Sequence, residues 1–151
     1  MTSAKKEILC SRKFNFAQAL VFQAWSNPNY LKNWWGPAGF TNTFNEFDFR
    51  EGGRWRFVMH GPDKGNYPNE CEFTKIDGPR LIAWKRHSKP LFRVVATFER
   101  INATQTSVIF KMIFETASAC NKIKRFAIAK NEENFDKLEN ELIKISSSGY
   151  L

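Results

Sequence analysis

Hydrophobic positions recur along this chain at two different spacings, and the changes of spacing divide it into four stretches. Residues 6–14 alternate and predict a first strand. Ala17, Leu20, Val21, Ala24 and Trp25 then fall at i, i+3, i+4, i+7 and i+8, one face of a short helix. Asn15 is placed to cap it, with Gln18 three residues on in the capping-box position. Asn27 predicts the cap of a second short helix with Pro28 at its first position, where the missing N–H costs nothing. Gly36-Pro37, directly after Trp34-Trp35, ends that helix.

From residue 40 to residue 114 the period is two. Phe47 and Phe49 share a face, Gly52-Gly53 supplies a turn, and Trp55, Phe57 and Met59 alternate with Arg54, Arg56, Val58 and His60 as a half-buried strand. Residues 61–65 read as a turn by composition. Further strands are predicted over 70–76, 81–86, 92–100 and 106–114; in the last, Val108, Phe110, Met112 and Phe114 face one way and Ile109 and Ile113 the other. The short turns between them require antiparallel pairing, because a parallel crossover needs about a dozen residues or more.

The C-terminal third is helical, with Thr116 as N-cap and apolar or small residues at Cys120, Ile123 and Ala127, then at Leu138, Leu142 and Ile145. The stripe weakens between Lys130 and Asn134, with Phe126 and Phe135 off its axis, which predicts either a bend near Asn131 or two helices. The fold class is therefore α+β: a curved antiparallel sheet of about six or seven strands, covered by a long C-terminal helix because its inner face must be buried.

The 151 residues make one domain, residues 1–151, with an ordered core over 6–145 and a loose Ser-rich tail over 146–151. Hydrophobic residues at 42% and charged residues at 25% exclude wholesale disorder. No apolar run is long enough to span a membrane, and no secretory signal is visible in the first residues. Cys10, Cys71 and Cys120 are odd in number and lack a C-x-x-C pair, favouring free thiols and a cytoplasmic location over disulfides or zinc. The net charge of +8 is spread along the chain without a block of five like charges, so it reads as a solvated surface and no nucleic-acid partner is expected.

Fifteen Phe and five Trp are many for this length. Trp55, Phe57, Phe73, Trp84, Phe98 and Phe110 either fill the core or line a space within it, and alternation alone does not separate the two. The chemistry of catalysis is thinly represented. His60 precedes a turn with Asp63 nearby, and His87 lies in the basic loop 85–89; the two make neither a metal set nor an acid–base pair. Cys71 lies mid-strand, no G-x-S-x-G supports a nucleophile, and a strand, not a helix, follows Gly52-Gly53, so it is no phosphate loop. Asp48, Glu70 and Glu72 are single acids that nothing ranks. The expectation is a non-enzyme without metal or cofactor.

Trp34-Trp35-Gly36-Pro37, and the run Gly52-Gly53-Arg54-Trp55-Arg56-Phe57-Val58-Met59-His60-Gly61-Pro62-Asp63, resemble the START-like (SRPBCC) superfamily. The branch is that of homologues of the activator of the 90-kDa heat-shock chaperone's ATPase. Phe47-Asp48-Phe49-Arg50-Glu51, Tyr67-Pro68-Asn69-Glu70, Pro79-Arg80-Leu81, Thr97-Phe98-Glu99, Thr106 and Phe135-Asp136-Lys137-Leu138 extend the resemblance over about residues 6–145. It implies a helix-grip fold with a cavity between sheet and final helix, and places Trp35, Trp55, Phe57, Met59, Phe73, Trp84, Phe98 and Phe126 near that cavity. The function implied is non-enzymatic binding of a small hydrophobic or aromatic ligand; co-chaperone activity and polyketide-cyclase-like catalysis are the alternatives. The implied partners are a small hydrophobic molecule and a heat-shock chaperone. Only about five residues precede the first strand, and the N-x-N-N-W-H-W signature of the full-length activator's additional domain is absent, so at most slight stimulation of a chaperone is expected. One departure stands out: relatives commonly carry glycines in the middle of the last helix, where this chain has Lys130-Asn131.

Overall fold

The structure, a computed structural model, describes residues 6–147. Its elements run β1 (Glu7–Phe14), α1 (Gln18–Ser26), α2 (Pro28–Trp34), β2 (Thr41–Phe47), β3 (Arg54–His60), β4 (Asn66–Asp77), β5 (Leu81–Arg86), β6 (Arg93–Asn102), β7 (Gln105–Ile113) and α3 (Ala117–Ser147). The strands form one seven-stranded antiparallel sheet in the order β1-β7-β6-β5-β4-β3-β2. Strands β2 to β7 each pair with their neighbours in sequence, so only β1 crosses the molecule, pairing with β7 from Glu7↔Ile113 to Phe14↔Thr106. This is the helix-grip arrangement that the resemblance implied.

Register decides which residues the sheet turns inward. Trp55 lies beside Cys71, and Cys71 beside Arg86; Phe73 lies beside Trp84, Trp84 beside Val94, and Val94 beside Met112. Apart from Arg86, these residues are buried. Helix α3 packs on β1, α1 and α2. Trp25 of α1 gathers the aromatic core, with its ring centroid 4.8 Å from Trp34, 5.4 Å from Phe98 and 5.9 Å from Phe110. Trp25 therefore packs against several other rings, contacts worth ~0.5–1.5 kcal/mol each beyond area burial.

Two of the helix starts follow from local chemistry: Asn27 Oδ1 accepts from the Asn29 N–H at 2.9 Å, and Thr116 Oγ1 from the Ala119 N–H at 3.0 Å. The start of α1 differs from the sequence expectation. Its N-cap is Ala17, without a side-chain cap; Asn15 instead accepts from Gln105 at 3.1 Å, and Gln18 donates to the Phe98 carbonyl at 2.8 Å. Both polar groups join β6 and β7 to the α1 segment, which outcompetes a purely local capping box.

Other boundaries also shift. β4 begins at Asn66, four residues earlier than expected, and Phe49 lies beyond β2 with its ring stacked on Phe47 at 5.8 Å. Helix α3 is continuous over 31 residues and is not two helices. The polar interval that suggested a break marks a change of neighbours: Glu132 bonds to Arg12 on β1, while Glu133 and Asn134 bond to backbone N–H groups of the loop after α2. The helix also runs through Ser146 and Ser147, whose hydroxyls donate to the Ile143 carbonyl, so these residues do not belong to a loose tail. Residues 148–151 of that expected tail lie outside the described residues. No described helix is long and apolar enough to cross a membrane.

Candidate functional site

Between the inner face of the sheet and α3 the aromatic packing leaves a cavity of about 140 Å³. Phe57, Met59, Cys71, Trp84, Val94, Phe110 and Met112 line it from the strands, and Lys130, Asn131 and Asn134 from α3. Trp35, Gly36 and Pro37 contribute from the loop after α2, Arg86 from the end of β5 and Phe92 from just before β6.

The loop over the cavity is fastened to the helix by polar groups. The Gly36 N–H donates to Asn134 Oδ1 at 3.2 Å and the Ala38 N–H to Glu133 Oε1 at 3.1 Å. Lys137 Nζ donates to the carbonyls of Pro37 and Phe40 at 3.3 and 3.0 Å. Burial holds that ammonium below its ordinary pKa, with Glu133 acting in the opposite direction. Asn42 secures Trp35 by donating to its carbonyl at 2.8 Å. Gly36 has φ +99°, a left-handed conformation that favours glycine between Trp35 and Pro37, and a Cβ there would also lie 2.7 Å from Met59 Cε, the movable end of a flexible side chain.

Two polar groups on the wall have distinct characters. The Cys71 thiol, 1% exposed, is pushed up to about 12 by burial and stays protonated at neutral pH. Arg86 faces inward beside Cys71 with its guanidinium 5.2 Å from the centre of the Phe92 ring. It donates to Asn69 Oδ1 at 2.6 Å, the Pro90 carbonyl at 2.9 Å, Ser88 Oγ at 3.2 Å and the Lys89 carbonyl at 3.3 Å. All four acceptors are neutral. Burial lowers its pKa, yet an arginine remains charged in a protein at neutral pH.

Of the residues associated with the cavity by resemblance, Trp35, Phe57, Met59 and Trp84 lie on its wall. Trp55, Phe73 and Phe98 are buried behind it: Trp55 stacks on Phe57 at 4.4 Å and lies parallel to Phe73 at 6.1 Å, while Phe98 packs on Phe22 and Trp25. Phe126 is elsewhere altogether, 63% exposed on α3, because the buried line of that helix passes through Cys120 and Ala127. Strand parity finds the inner face, but that face extends well past the cavity. Val94, Phe110 and Met112 share the parity of the wall residues; Arg86 was missed within a basic run, although it stands two residues after Trp84 and so on the same face.

The histidines are separate from the cavity. His60 bonds to Thr43 Oγ1 at 2.7 Å through Nε2 and to Asn66 Oδ1 at 2.6 Å through Nδ1, a polar link across β2, β3 and β4. Asp63 instead accepts from the Gly65 N–H and the Tyr67 hydroxyl, the former being the larger cause of its lowered pKa. His87 meets Glu72 at 3.0 Å. Among the described residues, no three His, Cys, Asp or Glu side chains converge to hold a metal ion.

A sheet wrapped on a long C-terminal helix, with a small ring-lined space between them, defines the helix-grip class of α+β proteins. The family model of Activator of Hsp90 ATPase homolog 1-like proteins matches residues 15–142, and the chain belongs to that family. No curated protein matches the chain. Among solved structures, a protein from Arthrobacter aurescens is 21% identical with a TM-score of 0.84, over 92% of this chain and 87% of its own. A protein from Nitrosomonas europaea is 17% identical with a TM-score of 0.84, over 95% and 98%. An AHSA1 protein from Silicibacter pomeroyi is 20% identical with a TM-score of 0.75, over 91% and 97%. These likenesses establish the shared fold.

Proposed function

We propose that this protein binds a small apolar molecule built around one ring, held between the sheet and α3 beneath the Trp35-Gly36-Pro37 loop. The observation that carries this reading is the cavity itself, about 140 Å³ in volume, with five aromatic rings and two thioethers on its wall beside the polar side chains of Arg86, Lys130, Asn131 and Asn134. A dry engineered cavity of roughly 150 Å³ takes up benzene, whereas sites for drug-sized ligands measure ~300–1,000 Å³. The size therefore favours a single-ring ligand over a sterol, fatty acid or polycyclic polyketide. The wall offers no imidazole or carboxylate, and its buried thiol is held protonated, which supports binding rather than turnover.

Trp84 and Trp35 both border the space, so a ligand changes the polarity around an indole. The test is titration with single-ring compounds, followed by tryptophan fluorescence and by NMR shifts of the Val94, Met59 and Met112 methyl groups. Saturable shifts confined to these groups support the reading; shifts only at the surface, or none, reject it. Family membership also carries a co-chaperone reading. Several-fold, salt-resistant stimulation of a heat-shock chaperone's ATPase by this protein would place that reading first, since screening removes nonspecific attraction to a basic chain.

A further inference from the structure

We infer that the ligand is an anion, a small aromatic carboxylate or similar acid, whose charged end pairs with Arg86 while its ring enters the cavity. This rests on the reading of the cavity as a ligand site. Arg86 and Phe92 line both the cavity and an open groove at the end of the sheet, so the guanidinium stands where the interior meets solvent. Among the described residues no carboxylate forms an ion pair with it, and its four hydrogen bonds all go to neutral oxygens.

The geometry leaves one edge for a ligand. One face of the guanidinium lies over Phe92, Nε is committed to the Pro90 carbonyl, and Nη2 to Ser88 and Lys89. Nη1 carries two N–H groups and makes one bond, to Asn69 Oδ1. A carboxylate there gains a charge-assisted hydrogen bond and offsets a half-buried positive charge, which neutral acceptors do only in part. Lys130 also borders the cavity but is exposed, so water already satisfies its ammonium. In the groove outside, Lys6, Lys85 and Arg93 outnumber Glu7 and Glu115, which favours an approaching anion.

Arg86 also fastens the 88–90 loop, so loss of stability on mutation does not distinguish the two roles; charge selectivity does. The probes are benzoate and benzamide, of nearly one shape and different charge, titrated into the intact protein and followed by the Trp84 indole and Val94 methyl signals. The wild type is expected to bind benzoate at least tenfold more tightly than benzamide. Arg86→Gln is expected to bring the two to within about twofold, Arg86→Lys to keep part of the preference even where Arg86→Gln fails to fold, and Lys130→Gln to leave it intact. Equal binding of both probes to the wild type overturns anion recognition and leaves the cavity reading standing. Loss of the preference in Lys130→Gln but not in the Arg86 variants overturns the assignment to Arg86. Binding of neither probe overturns this inference together with the single-ring reading.

Discussion

Arg12 on β1 and Glu132 on α3 meet with Nη2 2.7 Å from Oε1, and this pair fastens the edge of the sheet to the middle of the helix. The same guanidinium reaches Asp136 Oδ1 at 2.8 Å and lies 5.5 Å from the centre of the Phe135 ring, while Cys10 donates its thiol to Glu132 Oε2 at 3.2 Å. Exposed pairs contribute ~0.2–1 kcal/mol each and a cation–π contact ~0.5–1 kcal/mol. Arg12→Ala is therefore expected to lower stability by about 1–2 kcal/mol in urea denaturation, with Arg12→Lys recovering only part. The hydrogen bond from Arg12 is the first cause of the lowered Glu132 pKa. A depressed carboxylate pKa stabilises the fold above its unfolded value and loses that contribution as pH falls through the folded value. The wild type should accordingly lose more stability than Arg12→Ala on acidification below about pH 4.5.

On the alkaline side the buried thiols contribute. Cys71 and Cys10 are both pushed up to about 12 from 9.0, burial being the first cause in each. Folding keeps a proton that the unfolded chain releases, so their contribution is complete below pH 9 and is lost as pH rises toward 12. Each thiol contributes a slope of up to ~1.4 kcal/mol per pH unit within that window. Cys71→Ala is expected to be less stable than the wild type at pH 8 yet to show the flatter decline above pH 9. A thiol-reactive dye at pH 8 should label Cys71 only under denaturing conditions; rapid labelling of the native protein would contradict its burial.

The strand alternation was legible because an antiparallel sheet with one covered face imposes it directly: Trp55 and Phe57 are inside and Arg54 and Arg56 outside. Asn27 and Thr116 were legible because a cap acts within three residues. What the sequence concealed depends on contacts between distant segments. Glu132, Glu133 and Asn134 look like a defect in the apolar stripe until β1 and the 36–40 loop are seen beside them. The extent of the cavity was likewise hidden, since Phe98 and Trp84 share an inward face while only Trp84 meets the open space. Arg86 carried a signal, a charge at inward parity after Trp84, that its basic neighbours Lys85 and His87 masked.

Gly52 and Gly53 serve the same turn for different reasons. Gly52 has φ +85° with open space around it, whereas a Cβ on Gly53 would lie 2.0 Å from the Asp48 carbonyl oxygen. Gly52→Asn is expected to cost about 1 kcal/mol or less, because asparagine tolerates the left-handed region. Gly53→Ala forces backbone apart where Phe73 N–H bonds to the Gly53 carbonyl at 2.9 Å, and is expected to cost ~3 kcal/mol or more. Thermal denaturation of both variants checks the order, which reverses if conformation rather than space dominates at this turn.

Val94 offers a way to close the cavity without breaking the fold. It is 1% exposed, lies on the wall, and is flanked across the sheet by Trp84 and Met112. Val94→Leu adds one methylene beside space that is already empty, so the overpacking that costs ~1–3 kcal/mol in a filled core should be largely avoided. Stability is expected to stay within about 1 kcal/mol of the wild type. One methylene in an apolar pocket changes binding by ~1–3 kcal/mol, so single-ring ligands should bind at least tenfold more weakly. Phe110→Ala acts in the opposite direction: it enlarges the cavity, costs ~3–5 kcal/mol of stability, and should admit larger rings that the wild type rejects. Calorimetric titration of the three proteins with benzoate and with a naphthoate gives the comparison. Unchanged affinity in a folded Val94→Leu protein would mean that the ligand binds outside the cavity.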